Sequence, residues 1–181
     1  LEVDDIEFTF KGKQTFENGE LKDAIALSKS KVYNKSLLEG DIQKLKKFYF
    51  DNGFFDMEVD TSVTVDIEDE EASVTFKITE NKRYRIDSIA IKGIQNISAD
   101  ALAKIRKIRT IKKGDNYSKV LIIQLANETL DSLQNNGYMN ARLDLDSGTV
   151  IRRYKDIARV NVEINLDGTD TLYYFGSTKI D

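Results

Sequence analysis

A tandem repeat is the feature that most constrains how this chain of 181 residues can fold. Residues 8–12 (Phe-Thr-Phe-Lys-Gly) align with residues 89–93 (Ile-Ala-Ile-Lys-Gly), and the Asn-Gly-Phe of residues 52–54 aligns with the Asn-Gly-Tyr of residues 136–138. The aligned apolar positions between these blocks are kept, and the second copy carries a short insertion between its two predicted helices. A repeat of this length indicates one folded unit per copy.

The repeat also sets the predicted domain boundaries. We predict one domain over residues 1–83 and a second over residues 84–170, each within the size range of small domains. Residues 173–180 (Tyr-Tyr-Phe-Gly-Ser-Thr-Lys-Ile) resemble residues 84–91 (Tyr-Arg-Ile-Asp-Ser-Ile-Ala-Ile). Residues 171–181 are therefore predicted to be the first strand of a further repeat or a C-terminal tail.

Hydrophobic spacing predicts that each copy begins with a strand and two helices. Apolar residues alternate before the glycines Gly12 and Gly93, as in a strand with one face on a core. Two amphipathic helices follow, and Ser98 is the predicted N-cap of the first helix in copy two. The first helices carry Leu21, Ala24, Ile25 and Leu27 in copy one, and Ala101, Leu102, Ile105 and Ile108 in copy two. The second helices carry Leu38, Ile42, Leu45 and Tyr49, and then Ile122, Ala126, Thr129 and Leu133.

A long β-hairpin is predicted to close each copy. The Asn-Gly pairs at residues 52–53 and 136–137 readily take positive φ and stop the second helix, and the next aromatic residue is predicted to start a strand. Two runs of alternating apolar residues follow, joined by a turn. They are Val59, Thr61, Val63, Val65 and Ile67 with Val74, Phe76 and Ile78, and Leu143 and Leu145 with Ala158, Val160, Val162 and Ile164. This order predicts an α+β fold in which two helices cover one face of a three-stranded sheet.

The composition excludes several classes of function. The 27 basic and 31 acidic residues give a net charge of −4, which is a poor footprint for nucleic acid. The chain has no Cys and no His, so thiol chemistry, Ser-His pairs and imidazole metal ligands are excluded. Its acidic residues lie mostly on predicted surfaces rather than converging on a cleft. We therefore predict no enzyme activity, no cofactor and no metal site. No apolar run approaches the length of a membrane span.

The ordered motifs of both copies resemble the polypeptide-transport-associated (POTRA) domain family. The family pattern is strand, Gly, helix, Gly-x-x-Tyr, helix, Tyr-x-x-x-Gly-Tyr and hairpin. The motif residues found here are Gly12, Tyr33, Gly53 and Phe54 in copy one, and Gly93, Tyr117, Gly137 and Tyr138 in copy two. Copy one has Ser30-Lys31-Val32 where the glycine before Tyr33 is expected, and copy two has Leu133 at the position of Tyr49.

The resemblance implies tandem β-α-α-β-β domains, each a three-stranded mixed sheet covered on one face by two antiparallel helices. It also implies the periplasmic portion of an outer-membrane protein, as in assembly factors of the BamA and TamA type, with a C-terminal membrane barrel that is absent from this chain. The partners so implied are unfolded outer-membrane proteins and accessory periplasmic or lipoprotein partners. A cell-division-type scaffold and a two-partner-secretion transporter are the alternatives. Duplication disfavours the cell-division class, which typically carries one copy.

Strand addition at an unpaired sheet edge is a physical route to binding many different extended clients. The candidate binding edges are the first hairpin strands, at Val59, Thr61, Val63 and Val65 and at Leu143 and Leu145. The alternative is that charge protects these strands from pairing, as it does in many sheet edges. The residues with that effect are Glu58, Asp60, Asp144 and Asp146.

Three other clusters have simpler interpretations. The acidic run at residues 66–71 lacks the spacing of a calcium loop and is predicted to be a solvated hairpin turn. A basic cluster could touch anionic lipid, but a solvated helix face is the preferred interpretation. Its members are Lys104, Arg106, Lys107, Arg109, Lys112 and Lys113. The tyrosines at helix ends are predicted to pack at the edge of the core with hydroxyls that reach water. They are Tyr33, Tyr49, Tyr117 and Tyr138.

Overall fold

The computed structural model describes residues 1–108 and 110–174. The chain divides into two compact units, Leu1–Tyr84 and a second that begins at Arg85. The first unit contains β1 (Glu2–Phe10), α1 (Asn18–Ala24), α2 (Leu27–Ser30), α3 (Lys35–Asp51), β2 (Glu58–Asp66) and β3 (Glu71–Thr79). The second contains β4 (Arg85–Lys92), α4 (Ala99–Lys107), α5 (Lys119–Gln134), β5 (Arg142–Leu143), β6 (Thr149–Tyr154) and β7 (Arg159–Asp167).

The sheet of the first unit has the order β1-β3-β2, which places β3 in the centre. β1 runs parallel to β3 and β2 runs antiparallel to it, so the sheet is mixed. Alternate residues of β3 are buried because a strand turns successive side chains to opposite faces. The buried set on β3 is Ala72, Val74, Phe76 and Ile78.

Helices cover that apolar face of the first sheet. Leu38, Leu45 and Tyr49 are buried along α3, as their predicted shared face requires. An aromatic cluster fills the space between helices and strands: Phe16 packs edge-on against Phe48 and Tyr49, with ring centroids 4.7 and 5.1 Å apart. Such pairs stabilise a core beyond the area that they bury.

The second unit repeats this plan with one additional strand. β7 is central, β4 is its parallel neighbour, and both β5 and β6 pair antiparallel with its other side. Ile122, Ala126, Thr129 and Leu133 are buried on α5 as predicted, and Ser98 caps α4 by accepting a hydrogen bond from the Ala101 amide. Both units thus have the predicted α+β fold.

Several local predictions are wrong. The first helix of copy one is split, because Ile25 is extended and α2 starts anew at Leu27; in copy two the first helix ends before Ile108. Phe54 and Tyr138 do not begin strands, since a turn comes after each of them. The first hairpin strand of copy two is interrupted between β5 and β6. Residues 171–174 form no strand, and residues 175–181, where the predicted further repeat continues, lie outside the described residues.

Candidate functional site

β2 forms one edge of the first sheet over its whole length. It pairs with β3 from Glu58 opposite Thr79 to Asp66 opposite Glu71 without a register shift. Val59, Thr61, Val63 and Val65 lie opposite the buried Ile78, Phe76, Val74 and Ala72 and therefore share the face covered by the helices. Their exposure rises towards the hairpin turn, where Val65 is 43% exposed. The four candidate residues thus line one regular, extended edge.

The acidic residues that could protect this edge lie on its other face. Glu58 and Asp60 alternate with Val59 and so point away from the helices. The acidic run beyond β2 forms the hairpin turn as predicted: Asp66 accepts hydrogen bonds from the amides of Glu68 at 2.9 Å and Asp69 at 3.3 Å. Within residues 1–108 and 110–174 no group of three or more acidic side chains is arranged to hold a metal ion.

The corresponding edge of the second sheet is broken. β5 pairs only Arg142 and Leu143 with β7, and β6 resumes the pairing at Thr149. The prediction that Leu145 belongs to an edge strand is wrong, because Leu145 lies in the break and is 91% exposed. Residues 145–147 loop out there, between the Asp144 amide, which donates to the Asn165 carbonyl oxygen over 2.9 Å, and the Gly148 carbonyl oxygen, which accepts from the Asn165 amide over 2.9 Å. The Asp144 side chain holds the loop, since it accepts hydrogen bonds from the Ser147 amide at 2.7 Å and from the Asp146 amide at 3.1 Å. Such local bonds compete with a strand ladder.

The hydrogen bonds of this turn favour the charged form of the Asp144 carboxylate. Ser147 donates to Asp144 from both its amide and its hydroxyl, which lowers the pKa of Asp144 below its ordinary value. The turn ends at Gly148, where a Cβ would lie 2.8 Å from the Asp144 carbonyl oxygen, so the position leaves no room for a side chain. Asp144 therefore holds the turn that interrupts the edge, while Asp146 lies within the interruption. Short and interrupted strands are a common protection against edge pairing.

The basic cluster is spread over α4 and the loop after it. Lys113 forms an ion pair with Asp87 at 3.1 Å, and Lys104 donates a hydrogen bond to the Asn136 side chain. Lys112 is exposed, and its amide is bonded to Asp115 at 2.9 Å. Arg109 lies outside the described residues. The cluster forms a largely solvated surface of the second unit.

The prediction for the tyrosine hydroxyls is wrong at three positions. Tyr49 and Tyr117 are fully buried, and Tyr138 is 3% exposed. The Tyr49 hydroxyl donates to Glu80 over 3.1 Å, and the Tyr138 hydroxyl accepts from the Ser98 amide over 2.7 Å. A buried hydroxyl at a helix end can thus be satisfied inside the protein instead of by water. Only Tyr33, among these four, is partly exposed.

Two buried carboxylates were missed by the sequence analysis. Asp41 is fully buried in α3 and accepts hydrogen bonds from the amides of Ala26 at 2.7 Å and Leu27 at 2.8 Å, so it caps α2 from another helix. Glu80 accepts from the Thr15 amide at 2.9 Å and its hydroxyl at 2.6 Å. In the sequence, only the spacing of the two acids indicated their burial, because both fall where the pattern of buried residues places the next inward-facing side chain.

The glycines of the two copies show the positive φ values that the motif requires. Gly53 and Gly137, after the second helices, have φ values of 92° and 91°. Gly12 and Gly93 have φ values of 99° and 84°, and a Cβ on Gly93 would lie 2.1 Å from the Leu166 carbonyl oxygen. In copy one Lys31 supplies the left-handed residue between the helices, with φ of 53°, where copy two uses Gly114.

The same backbone hydrogen bond is found in both copies where the chain leaves the domain. The Tyr84 amide donates to the Gly53 carbonyl oxygen over 2.8 Å, and the Tyr173 amide donates to the Gly137 carbonyl oxygen over the same 2.8 Å. The Tyr84 hydroxyl bonds to Asp56, and the Tyr173 hydroxyl accepts from Asn140, the aligned residue. The two copies therefore agree in motif, in topology and in the way that the chain leaves them.

The family model described as "POTRA: Surface antigen variable number repeat" matches residues 3–81 and again residues 84–168. The chain belongs to the POTRA family. Its two POTRA domains lie one after the other within the 181 residues, as the repeat predicted.

The chain is similar to parts of curated outer-membrane protein assembly factors. The chain is 23% identical over 153 residues to the assembly factor BamA of Neisseria meningitidis serogroup B, covering 79% of this chain and 19% of that protein. It is 27% identical over 125 residues to BamA of Buchnera aphidicola, covering 66% of this chain and 19% of that protein. The chain thus matches about a fifth of the length of these curated relatives.

A crystal structure of POTRA domains 3–5 of Haemophilus influenzae BamA shares the fold. Its TM-score is 0.54 at 19% identity, and the match covers 92% of this chain and 66% of that one. The tandem POTRA architecture is thus shown by sequence family and by fold. No helix in the described part of the chain is long and apolar enough to cross a membrane.

Proposed function

We propose that the two POTRA domains are the periplasmic binding module of an outer-membrane protein assembly factor, and that they bind extended segments of unfolded clients by strand addition. The observation that carries the proposal is the unbroken edge strand β2. A client that pairs with this edge satisfies its own backbone groups as it binds, and the contact demands little of the client's sequence. The similarity to BamA proteins supports the class of client.

The two domains contribute unequally in this proposal. The edge of the first domain is nine residues long, whereas β5 has two residues and β6 has six. Long flat edges are the ones that accept a further strand, and interrupted edges resist it. We therefore assign client pairing chiefly to β2, through the edge that carries Val59, Thr61, Val63 and Val65. The edge at Leu143 is secondary, and accessory partners remain candidates for the rest of the second domain.

The other edge of the first sheet is partly occupied. The β1 residue Val3 donates its amide to the Lys31 carbonyl oxygen over 2.9 Å, and Tyr33 donates to the Leu1 carbonyl oxygen over 2.9 Å. These bonds tie the segment after α2 to the start of β1. An added strand therefore meets fewer free backbone groups at β1 than at β2.

A titration of the 181-residue chain with synthetic barrel-strand peptides tests the proposal. Backbone amide shifts should concentrate in β2, and the broken edge of the second domain provides an internal comparison in the same sample. Peptides N-methylated at alternate residues supply the control, because strand addition uses the amides of only every second residue. Methylation of one alternate set of amides, the odd or the even positions, should abolish binding, and methylation of the other set should preserve it. Equal effects of the two methylation patterns, or no binding at millimolar peptide, would contradict strand addition. The better hypothesis would then be a docking scaffold for folded partners.

A further inference from the structure

The second domain contains an apolar groove between β4 and α4 that the proposed function has not used. It has a volume of about 610 Å³, and its lining includes Ile89 and Ile91 from β4 with Leu102 and Ile105 from α4. We call it the β4–α4 groove.

The same place in the first domain is filled. Three residues of the first domain align with Ile89, Leu102 and Ile108 of the second. They are Phe8, which is 6% exposed, and Leu21 and Leu27, which are both 0% exposed. Their counterparts in the second domain are only partly buried. Aligned apolar residues are therefore buried in the first domain and partly exposed in the second, although the two domains share one fold.

Two differences between the copies accompany the open groove. Phe8 stacks on Phe76 with ring centroids 5.4 Å apart, while the aligned pair in the second domain is Ile89 opposite Val162. The segments after the first helices also differ: α2 packs against β1 in the first domain, whereas the second domain has an irregular segment at residues 110–118. The smaller pair on the sheet and the missing helix leave Ile89, Leu102 and Ile108 partly exposed, and continuous exposed apolar surface marks an interaction site.

The strand beside the groove has a free edge. The start of β4 is covered, because the Ile86 amide bonds to Asp115 over 2.9 Å and the Gly114 amide bonds to Ile86 over 2.8 Å. From Ser88 to Lys92, β4 pairs with β7 on one side, and no described segment pairs with its other side. An extended chain that pairs here lies directly beside the apolar groove.

The charge of the groove favours an acidic partner. Among the described residues that line it, Arg106, Lys112 and Lys113 are basic and none is acidic. Two acids lie beside these basic residues: Asp87 pairs with Lys113 at 3.1 Å, and Asp115 accepts from the Lys112 amide at 2.9 Å, so the basic side chains outnumber these acids by three to two. Complementary charge around an apolar centre selects among partners and speeds association.

We infer that the β4–α4 groove binds an extended segment that has apolar side chains at alternate positions and carboxylates at one end. Its backbone pairs with Ser88–Lys92, its apolar side chains enter the groove, and its carboxylates meet Lys112 and Lys113. This inference rests on the proposed function in one respect, that the ligand is an extended chain. What it adds is a second binding site, at the edge strand β4 of the second domain, that prefers acidic segments.

The test uses two peptides of about eight residues, a length typical of strands. Both alternate valine and threonine; one ends in two aspartates and the other in two lysines. We expect the acidic peptide to shift the amides of Ser88–Lys92 and α4 in the 181-residue chain. The lysine peptide should bind this site about tenfold more weakly, the order expected from losing two charge contacts.

Two variants of the chain locate the site. Ile89→Phe restores the aromatic residue of the first domain and should close the groove, weakening the acidic peptide about tenfold. The double variant Lys112→Glu/Lys113→Glu should remove the preference for the acidic peptide. Lys35→Glu/Lys46→Glu makes the same change of net charge at exposed positions of α3 and should leave binding unchanged. Melting curves and amide spectra of each variant report whether it has folded.

The outcomes separate this inference from the proposed function. Shifts in β2 without shifts at Ser88–Lys92 would overturn the groove and leave the proposed function standing. Absence of binding anywhere would overturn both. A reversible dimer of the chain that Ile89→Phe abolishes, without peptide binding at the groove, would show that a second copy is the occupant and would overturn the assigned ligand.

Discussion

The hydroxyl of Tyr49 donates a hydrogen bond to the carboxylate of Glu80 across the core of the first domain, over 3.1 Å. Tyr49 comes from α3, and Glu80 comes directly after β3, so the bond ties the end of the second helix to the exit of the hairpin. Tyr49 is fully buried and Glu80 is 3% exposed. Burial and the negative charge of Glu80 raise the pKa of Tyr49 well above its ordinary value of 10.0.

Alkaline unfolding should reveal this pKa. Because the pKa of Tyr49 is higher in the folded than in the unfolded chain, its stabilising effect is full below pH 10 and is lost as the pH rises above that value. Above pH 10 the free energy of unfolding of the wild type should fall more steeply than that of Tyr49→Phe, by about 1.4 kcal/mol per pH unit. Tyr174→Phe, at a residue 84% exposed, is the control and should match the wild type. Equal slopes for Tyr49→Phe and wild type would contradict the assignment.

Asp41→Asn should destabilise the first domain. The carboxylate accepts the amides of Ala26 and Leu27 and also pairs with Lys44 at 3.0 Å, and an amide group has only one oxygen to offer in its place. Losing a buried acceptor costs about 1 to 3 kcal/mol, and urea unfolding measures it. Asp69→Asn, in the exposed hairpin turn, provides the comparison and should cost less than about 0.5 kcal/mol. Similar costs at both positions would show that Asp41 does not hold α2.

The aligned glycines Gly12 and Gly93 should respond differently to alanine. Both have positive φ, so each substitution carries a backbone cost of about 1 kcal/mol. A Cβ at position 12 meets no atom within 4 Å, whereas at position 93 it would lie 2.1 Å from the Leu166 carbonyl oxygen. Gly93→Ala should therefore lose at least about 2 kcal/mol more than Gly12→Ala in thermal or urea unfolding. A reversed order would contradict the close approach of β7.

Glu71→Gln should raise the unfolding midpoint at low salt. The neighbouring charge of Asp4, followed by partial desolvation and the charges of Asp69, Glu2 and Asp66, raises the pKa of Glu71. Its charged form is therefore disfavoured in the folded chain, and neutralising it removes repulsion between β1 and the hairpin turn. The gain should shrink as salt is added, because exposed charges are screened. Glu68→Gln, which makes the same charge change within the hairpin turn, separates the repulsion at Glu71 from the effect of net charge.

Sequence patterns were sufficient where one local rule decides the structure. The buried faces of α3 and α5 follow from the spacing of Leu38, Leu45 and Leu133, and the helix stops follow from Gly53 and Gly137. The repeat then implied that a feature of one copy also holds for the other. The POTRA motifs supplied the family, and the family supplied the mixed topology.

Local rules failed where two interactions competed. The alternation of Leu143 and Leu145 fits a strand, but residues 145–147 loop out and the Asp144 side chain binds the amides of Asp146 and Ser147 in that loop. Ile25 fits a helical stripe, but Asp41 starts α2 afresh at Leu27 by capping it from α3. In both cases a side chain overrides the backbone pattern, and periodicity does not record that.

The sequence by itself determined the two repeats, their order of elements and their family, because these depend on hydrophobic period and on residues with special backbone freedom. Tertiary structure decided which strand forms a continuous edge, which carboxylates are buried, and which copy has an open groove. Those properties depend on pairs of residues far apart in the chain, such as Asp41 with Leu27 and Ile89 with Val162. Packing and hydrogen bonding bring such pairs together in three dimensions.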